Sequence, residues 1–162
     1  MKHKLSSNQS GITLVEVIVA LAVVLTAGIG LLQLASFQTK AATLASQETR
    51  AYFLADEGIE ATRIVRDKGW SNLGNLQNGT SYYPVIQGGT WTLSTSSPGP
   101  INGYTRFVTL YQVFRDANGN IAASGAADAN TRRLKIQVQW TPEGGGTQTI
   151  SLETYLTNWQ KN

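Results

Sequence analysis

The feature that most constrains this chain is an apolar run interrupted by one carboxylate. From Ile12 to Phe37 the only charged side chain is Glu16. About 26 residues at 1.5 Å each make roughly 39 Å of helix, enough to cross a hydrocarbon core of about 30 Å. A charge at that depth is costly, so an intramembrane carboxylate points to function. A short leader, Met1 to Ser10, precedes the run and carries Lys2 and Lys4; no basic residue follows until Lys40. That asymmetry favours an N-in, C-out orientation.

The leader differs from an ordinary secretory signal, which places an apolar core before its small-residue cleavage site. Here the small residue, Gly11, comes first. Cleavage by an ordinary signal peptidase near Ala35-Ser36 or Ala41-Ala42 is a rival reading, and it leaves Glu16 without a role. Glu16 also has a bland reading, as a side chain reaching from near the helix start to the membrane interface.

The string Gly11-Ile12-Thr13-Leu14-Val15-Glu16, between a cationic leader and an apolar helix, resembles the processing signal of type IV prepilins and type II secretion pseudopilins. Tyr52 to Ala61 and Arg132 to Trp159 further resemble PilV-like minor pilins; residues 70 to 103 show no resemblance. The likeness implies cleavage between Gly11 and Ile12 by a membrane-embedded prepilin peptidase, which also N-methylates Ile12. A carboxylate in an apolar filament core needs a cationic partner. Glu16 of one subunit would meet the Ile12 ammonium of its neighbour and set the axial register. Further partners implied are other pilin or pseudopilin subunits, the inner-membrane assembly platform and, before assembly, membrane lipid. The protein would begin in the cytoplasmic membrane and end in a cell-surface or periplasmic filament.

From Ser36 to Lys68 the pattern becomes amphipathic. Phe37, Ala41, Leu44, Ala45, Ala51, Tyr52, Ala55, Ile59, Thr62 and Val65 recur at the three- and four-residue steps of one helix face. Arg63 is spaced to pair with Glu60 and with Asp67. Gly69 follows basic Arg66 and Lys68 as a helix stop. With no proline between 12 and 68, one continuous helix is expected. Gly28 and Gly30 weaken it by about 1 kcal/mol each relative to alanine, and serve either local stretching or close helix packing.

Beyond Trp70 the chain is rich in Gly, Ser, Thr and Asn. Residues 70 to 103 read as a connection holding one short strand, Thr90 to Leu93. Tyr104 to Phe114 is a strand by its aromatic and β-branched content. Asp116 to Ala129 reads as a loop with an Asn118-Gly119 turn. Leu134, Ile136, Val138 and Trp140 alternate with polar residues, as in a half-buried strand. A loop at 141 to 147 leads to a partner strand, Ile150 to Leu156.

The expected fold is therefore α+β and type IV pilin-like: a long N-terminal helix, half transmembrane and half amphipathic, packed on a small antiparallel sheet of three or four strands. Its parts are a cleaved leader (1–11), a transmembrane or filament-core helix (12–37), an amphipathic helix (38–69) and a β-rich head (70–162).

Little points to an enzyme. The chain has no cysteine, and its one histidine, His3, lies in the leader. Asp56, Glu57 and Glu60 read as a solvated or subunit-facing acidic face rather than a catalytic or metal cluster. Asp116 to Asn120 places oxygen ligands at alternate positions, but Ile121 and Ala127 stand where an EF-hand loop needs its glycine and its bidentate glutamate. No cofactor or metal is expected. Arg132, Arg133 and Lys135, with Arg106 and Arg115, raise DNA as a partner. From Trp70 onward, however, six basic residues face four acidic ones, which solvated strand faces explain. The functional expectation is a minor pilin-like structural subunit of a type IV pilus. Its alternatives are a pseudopilin of a type II secretion or competence DNA-uptake system, and an uncleaved, membrane-anchored binding domain.

Overall fold

A computed structural model describes residues 11–159. The leader side chains Lys2, His3 and Lys4 lie outside the described residues. The chain divides into two compact units, Met1–Thr43 and Leu44–Asn162. One helix, α1 (Leu14–Asp67), contributes its first 30 residues to the first unit and the rest to the second.

Among its described residues, the first unit is bare helix from Leu14 onward. Apart from half-buried Gly28, every residue from 11 to 43 is exposed. The helix there is long and apolar enough to cross a membrane. Threonine and serine side chains along it bond back to carbonyls one turn earlier, as at Thr26 to Ala22 and Ser36 to Leu32. Such bonds satisfy a hydroxyl without any outside partner.

The second unit is a head built on an antiparallel sheet. Its strands are β1 (Ser81–Gln87), β2 (Thr90–Ser94), β3 (Tyr104–Arg115), β4 (Ile121–Ala122), β5 (Ala126–Trp140) and β6 (Gln148–Thr157). The order is β2-β1-β3-β5-β6, with β4 pairing on β3. A single turn of helix, α2 (Ser71–Gly74), follows α1. The architecture is α+β and type IV pilin-like.

One sheet face meets the helix. Val108, Leu110, Leu134, Ile136 and Val138 have no exposed surface. Against them α1 sets Ala51, Ala55, Gly58, Ala61, Thr62 and Val65. These are small residues, which let the backbone approach the larger aliphatics of the strands. Each of those aliphatics contributes about 1.5–3 kcal/mol through burial. Thr62 is the one hydroxyl in the row, and it donates to the Gly58 carbonyl at 2.7 Å.

The structure corrects several expectations. Phe37, Ala41, Leu44, Ala45 and Tyr52 are exposed. The packed stripe starts only at Ala51, and Gly58 and Ala61 complete it. The sheet has six strands because residues 70 to 103 contain β1 as well as β2, and β4 adds a short strand beside β3. β1 contains Pro84, although proline cannot donate to a ladder. It is tolerated because β1 pairs with β3 only at Ser81 and Tyr82, and from Tyr83 onward with β2 alone. Gly88 and Gly89, both at positive φ, close that hairpin with a two-residue turn. The loop expected over 116 to 129 shrinks, because β4 and the start of β5 lie within it. The turn at Asn118-Gly119 stands, with Gly119 at φ 83°. Glu60 pairs with Arg63, whose charge also acts on Asp67, and the Asp67 carboxylate accepts from Arg66 Nε at 2.8 Å and from Trp159 Nε1 at 3.1 Å.

Candidate functional site

The N-terminal site begins in non-helical backbone. Gly11, Ile12 and Thr13 precede α1 and are exposed, Ile12 by 76%. Thr13 is the helix cap: its Oγ1 accepts from the Glu16 backbone N–H at 3.3 Å. Thr13 and Glu16 thus hold the outer positions of a Ser/Thr-x-x-Glu capping pattern, a signal that four consecutive residues carry in the sequence itself. The cap stops the helix just short of the Gly11–Ile12 bond and leaves that bond in exposed, non-helical chain. A peptidase needs such backbone, since a helical peptide bond is closed off by its own hydrogen bonds.

Nothing in the chain itself demands glycine at position 11. Its backbone is not left-handed, and a Cβ built there meets no atom within 4 Å. Gly28 and Gly30 are likewise uncrowded. Glu16 lies in the first turn of α1, and Ile12, Val17, Ala20, Leu21 and Val24 border the same shallow groove. Among the described residues its carboxylate has no ion-pair or hydrogen-bond partner. The arrangement therefore presents a carboxylate on an apolar helix surface about one turn from the exposed Gly11–Ile12 bond. Hydrolysis of that bond would create an ammonium at Ile12.

Residues 6–32 match the family model of the prokaryotic N-terminal methylation motif. No curated protein and no solved structure matches the chain. The motif is that of type IV pilin and pseudopilin-type subunits, which are processed at the N-terminus. It implies a prepilin peptidase and other pilin subunits as partners, with a membrane-anchored stage before incorporation into a pilus.

The other residues singled out from the sequence go elsewhere. Arg106 is buried under α1, where its Nη1 donates to the Leu54 carbonyl at 3.0 Å and pairs with Glu57 at 2.9 Å. Its guanidinium also lies over the Trp91 ring. Arg132 donates to the carbonyls of Gly74 and Leu76, both at 2.7 Å, and so ties α2 to β5. Arg115 pairs with Asp128 at 2.6 Å, while Arg133 and Lys135 approach Glu153 at 3.5 and 4.0 Å. The five cations serve separate local contacts rather than one basic surface. Of the acidic trio, Glu57 and Glu60 are paired with Arg106 and Arg63, and Asp56 is exposed. Asp116 turns its carboxylate onto its own loop, accepting from the N–H groups of Asn118 and Asn120. The Asn120 N–H is the main influence holding that carboxyl below its usual range. Among the described residues, no three His, Cys, Asp or Glu side chains gather to hold a metal.

Asp128 yields a pH prediction. The Thr131 hydroxyl first, then Arg115 and the Asn130 N–H, hold its pKa down at about 2 from an ordinary 3.8, against the opposing effect of partial burial. A depressed carboxyl pKa means stability that is present above the unfolded value and lost as pH falls through the folded one. The wild-type head should lose melting temperature more steeply than Asp128→Asn between about pH 4 and 2. Parallel curves for the two chains would show that Asp128 contributes nothing.

Proposed function

We propose that this chain is a minor pilin-like structural subunit of a type IV pilus, cleaved after Gly11 and N-methylated at Ile12. The observation that carries the reading is the methylation motif lying on a helix whose apolar surface is left uncovered by its own chain. Exposed aliphatics along the whole of residues 14 to 34 require lipid or other helices. Lipid serves before assembly and neighbouring subunits serve afterwards. The unpartnered Glu16 carboxylate supports a register role, because the processed Ile12 ammonium of an adjacent subunit supplies the missing cation. Lys2 and Lys4 keep the leader cytoplasmic and send the head outward. A pseudopilin of a type II secretion or competence system would use the same N-terminal chemistry, so the choice between them rests on which filament takes up the subunit.

The test is the intact mass of the membrane-extracted chain, expressed with and without a prepilin peptidase. Loss of residues 1 to 11 with gain of one methyl group is expected only with the enzyme. A full-length mass in its presence overturns the reading in favour of an anchored binding domain. Glu16→Ala should be processed as the wild type is, yet fail to co-isolate with sheared filaments. Normal incorporation of that variant would remove the register role.

A further inference from the structure

The sheet face turned away from α1 carries residues that neither the core nor the N-terminal motif uses. The strand register sets Tyr111 of β3 opposite Arg133 of β5, and Arg133 opposite Tyr155 of β6. Partners in an antiparallel ladder share a face, so the three side chains form a row across the sheet. The Arg133 guanidinium lies 4.8 Å from the centre of the Tyr111 ring, and Tyr155 is 47% exposed.

Beside this row the ladder breaks. Gln112 pairs with Arg132 but Val113 pairs with Asp128, so Ala129, Asn130 and Thr131 of β5 have no partner on β3, while Thr131 still pairs with Thr157 of β6. Such irregularities bend a strand and re-aim its side chains. Here the end of β3 pairs with the short β4, and Phe114 and Ile121 line the same cavity as the row. The result is an open trough of about 600 Å³, with Asn78 and Gln112 also lining it. Sites for small organic ligands span roughly 300–1,000 Å³ and combine aromatic surface with a few convergent polar groups.

We propose that this trough binds an uncharged oligosaccharide, with pyranose rings lying against Tyr111 and Tyr155. Tyrosine rings supply rigid apolar area that matches the C–H face of a sugar, at low entropic cost. Polar groups for the sugar hydroxyls stand ready. The Asn78 carboxamide oxygen accepts from the Gln112 N–H at 2.6 Å, which fixes the amide and leaves its NH₂ free to donate. Among the described residues, the Tyr111 and Tyr155 hydroxyls and the Gln112 side-chain amide make no protein hydrogen bond.

Charge decides against a polyanion. Arg133 and Lys135 share Glu153, leaving one positive charge in excess. A nucleic-acid groove needs a track of cations along the backbone, and the other arginines of the sheet, Arg106, Arg115 and Arg132, are held by Leu54, Glu57, Gly74, Leu76 and Asp128.

The experiment uses the full chain in a sugar-free zwitterionic detergent, titrated with cellopentaose, chitopentaose and maltopentaose, and with a 15-nucleotide thymidine strand for comparison. At least one sugar should bind with a Kd below about 1 mM and little salt dependence. Tyr111→Ala and Tyr155→Ala should each weaken binding by about tenfold or more, and Tyr155→Phe should restore most of it. Unchanged melting of these surface variants separates lost binding from lost fold. Four results overturn the proposal: no sugar bound at about 10 mM, binding indifferent to the tyrosines, salt-dependent binding of the thymidine strand alone, or tyrosine-dependent self-association instead. None of these touches leader removal, so this proposal and the pilin reading fail independently.

Discussion

A chain carrying Gly11→Val should keep its full-length mass in the presence of an active prepilin peptidase, while its head melts where the wild type melts. The two halves of that expectation have different physical origins. Gly11 lies outside the helix, takes no left-handed backbone conformation and has empty space where a Cβ would stand. Valine therefore costs the folded chain almost nothing, in the range of surface substitutions, about ±0.5 kcal/mol. A demand for glycine must come from the enzyme that approaches the Gly11–Ile12 bond, through a pocket on the leader side of that bond that admits no side chain. The effect is all-or-none in mass and absent in stability. Normal cleavage of the variant would show that the peptidase does not read position 11. A lowered melting temperature would instead place Gly11 in a structural role that its surroundings do not suggest.

The second large effect concerns Gly58, where the chain itself demands a small residue. A Cβ at Gly58 would stand 3.0 Å from Arg106 Cδ and 3.4 Å from Ile136 Cγ2. Arg106 is poorly able to give way. Its side chain is 2% exposed and its guanidinium is held by the Leu54 carbonyl, Glu57 and the Trp91 ring. Alanine would meet this crowding but gain about 1 kcal/mol in helix propensity, so Gly58→Ala should change stability little. Leucine shares most of that gain, but its larger side chain cannot be accommodated. Overpacking costs about 1–3 kcal/mol, and displacing the buried guanidinium from the Leu54 carbonyl and the half-exposed Glu57 costs about 1.5–3 kcal/mol more. Gly58→Leu should therefore lose about 2 kcal/mol or more and lower the denaturant midpoint of the head, followed by tryptophan fluorescence of the full chain in detergent. Equal midpoints for the alanine and leucine variants would mean that the helix lifts off the sheet at negligible cost, and that the small-residue stripe is not what holds it.

These two glycines show how unevenly a sequence reveals its structure. Gly11 stands out because its neighbours form a linear pattern: leader, small residue, Glu16, apolar run. Gly58 lies in a stretch whose obvious feature is its carboxylates, and its meaning depends on Arg106, which is 48 positions away and reaches it only through the fold. The same divide runs through the strands. Tyr104 to Phe114 and Leu134 to Trp140 are legible from composition and alternation, because each packs one face on α1. β1 is not, because Pro84 breaks the usual strand grammar and is allowed only where the neighbouring ladder has ended.

The candidate site divides in the same way. By itself the sequence determined the apolar helix, the lone carboxylate in it, the cationic leader and the class of the fold. All of these rest on local chemistry, whose free energy depends on few partners: hydrophobic length, a single charge within an apolar run, side-chain periodicity. Only the tertiary structure decided that the packed helix face starts at Ala51 and that five apparently free cations are locally engaged. It alone also set Tyr111, Arg133 and Tyr155 in one row beside a break in the ladder. Those outcomes depend on strand register and on an irregularity of three residues in β5. Register is fixed by the sum of many cross-strand contacts rather than by any residue in the row, so no short stretch of the chain carries it.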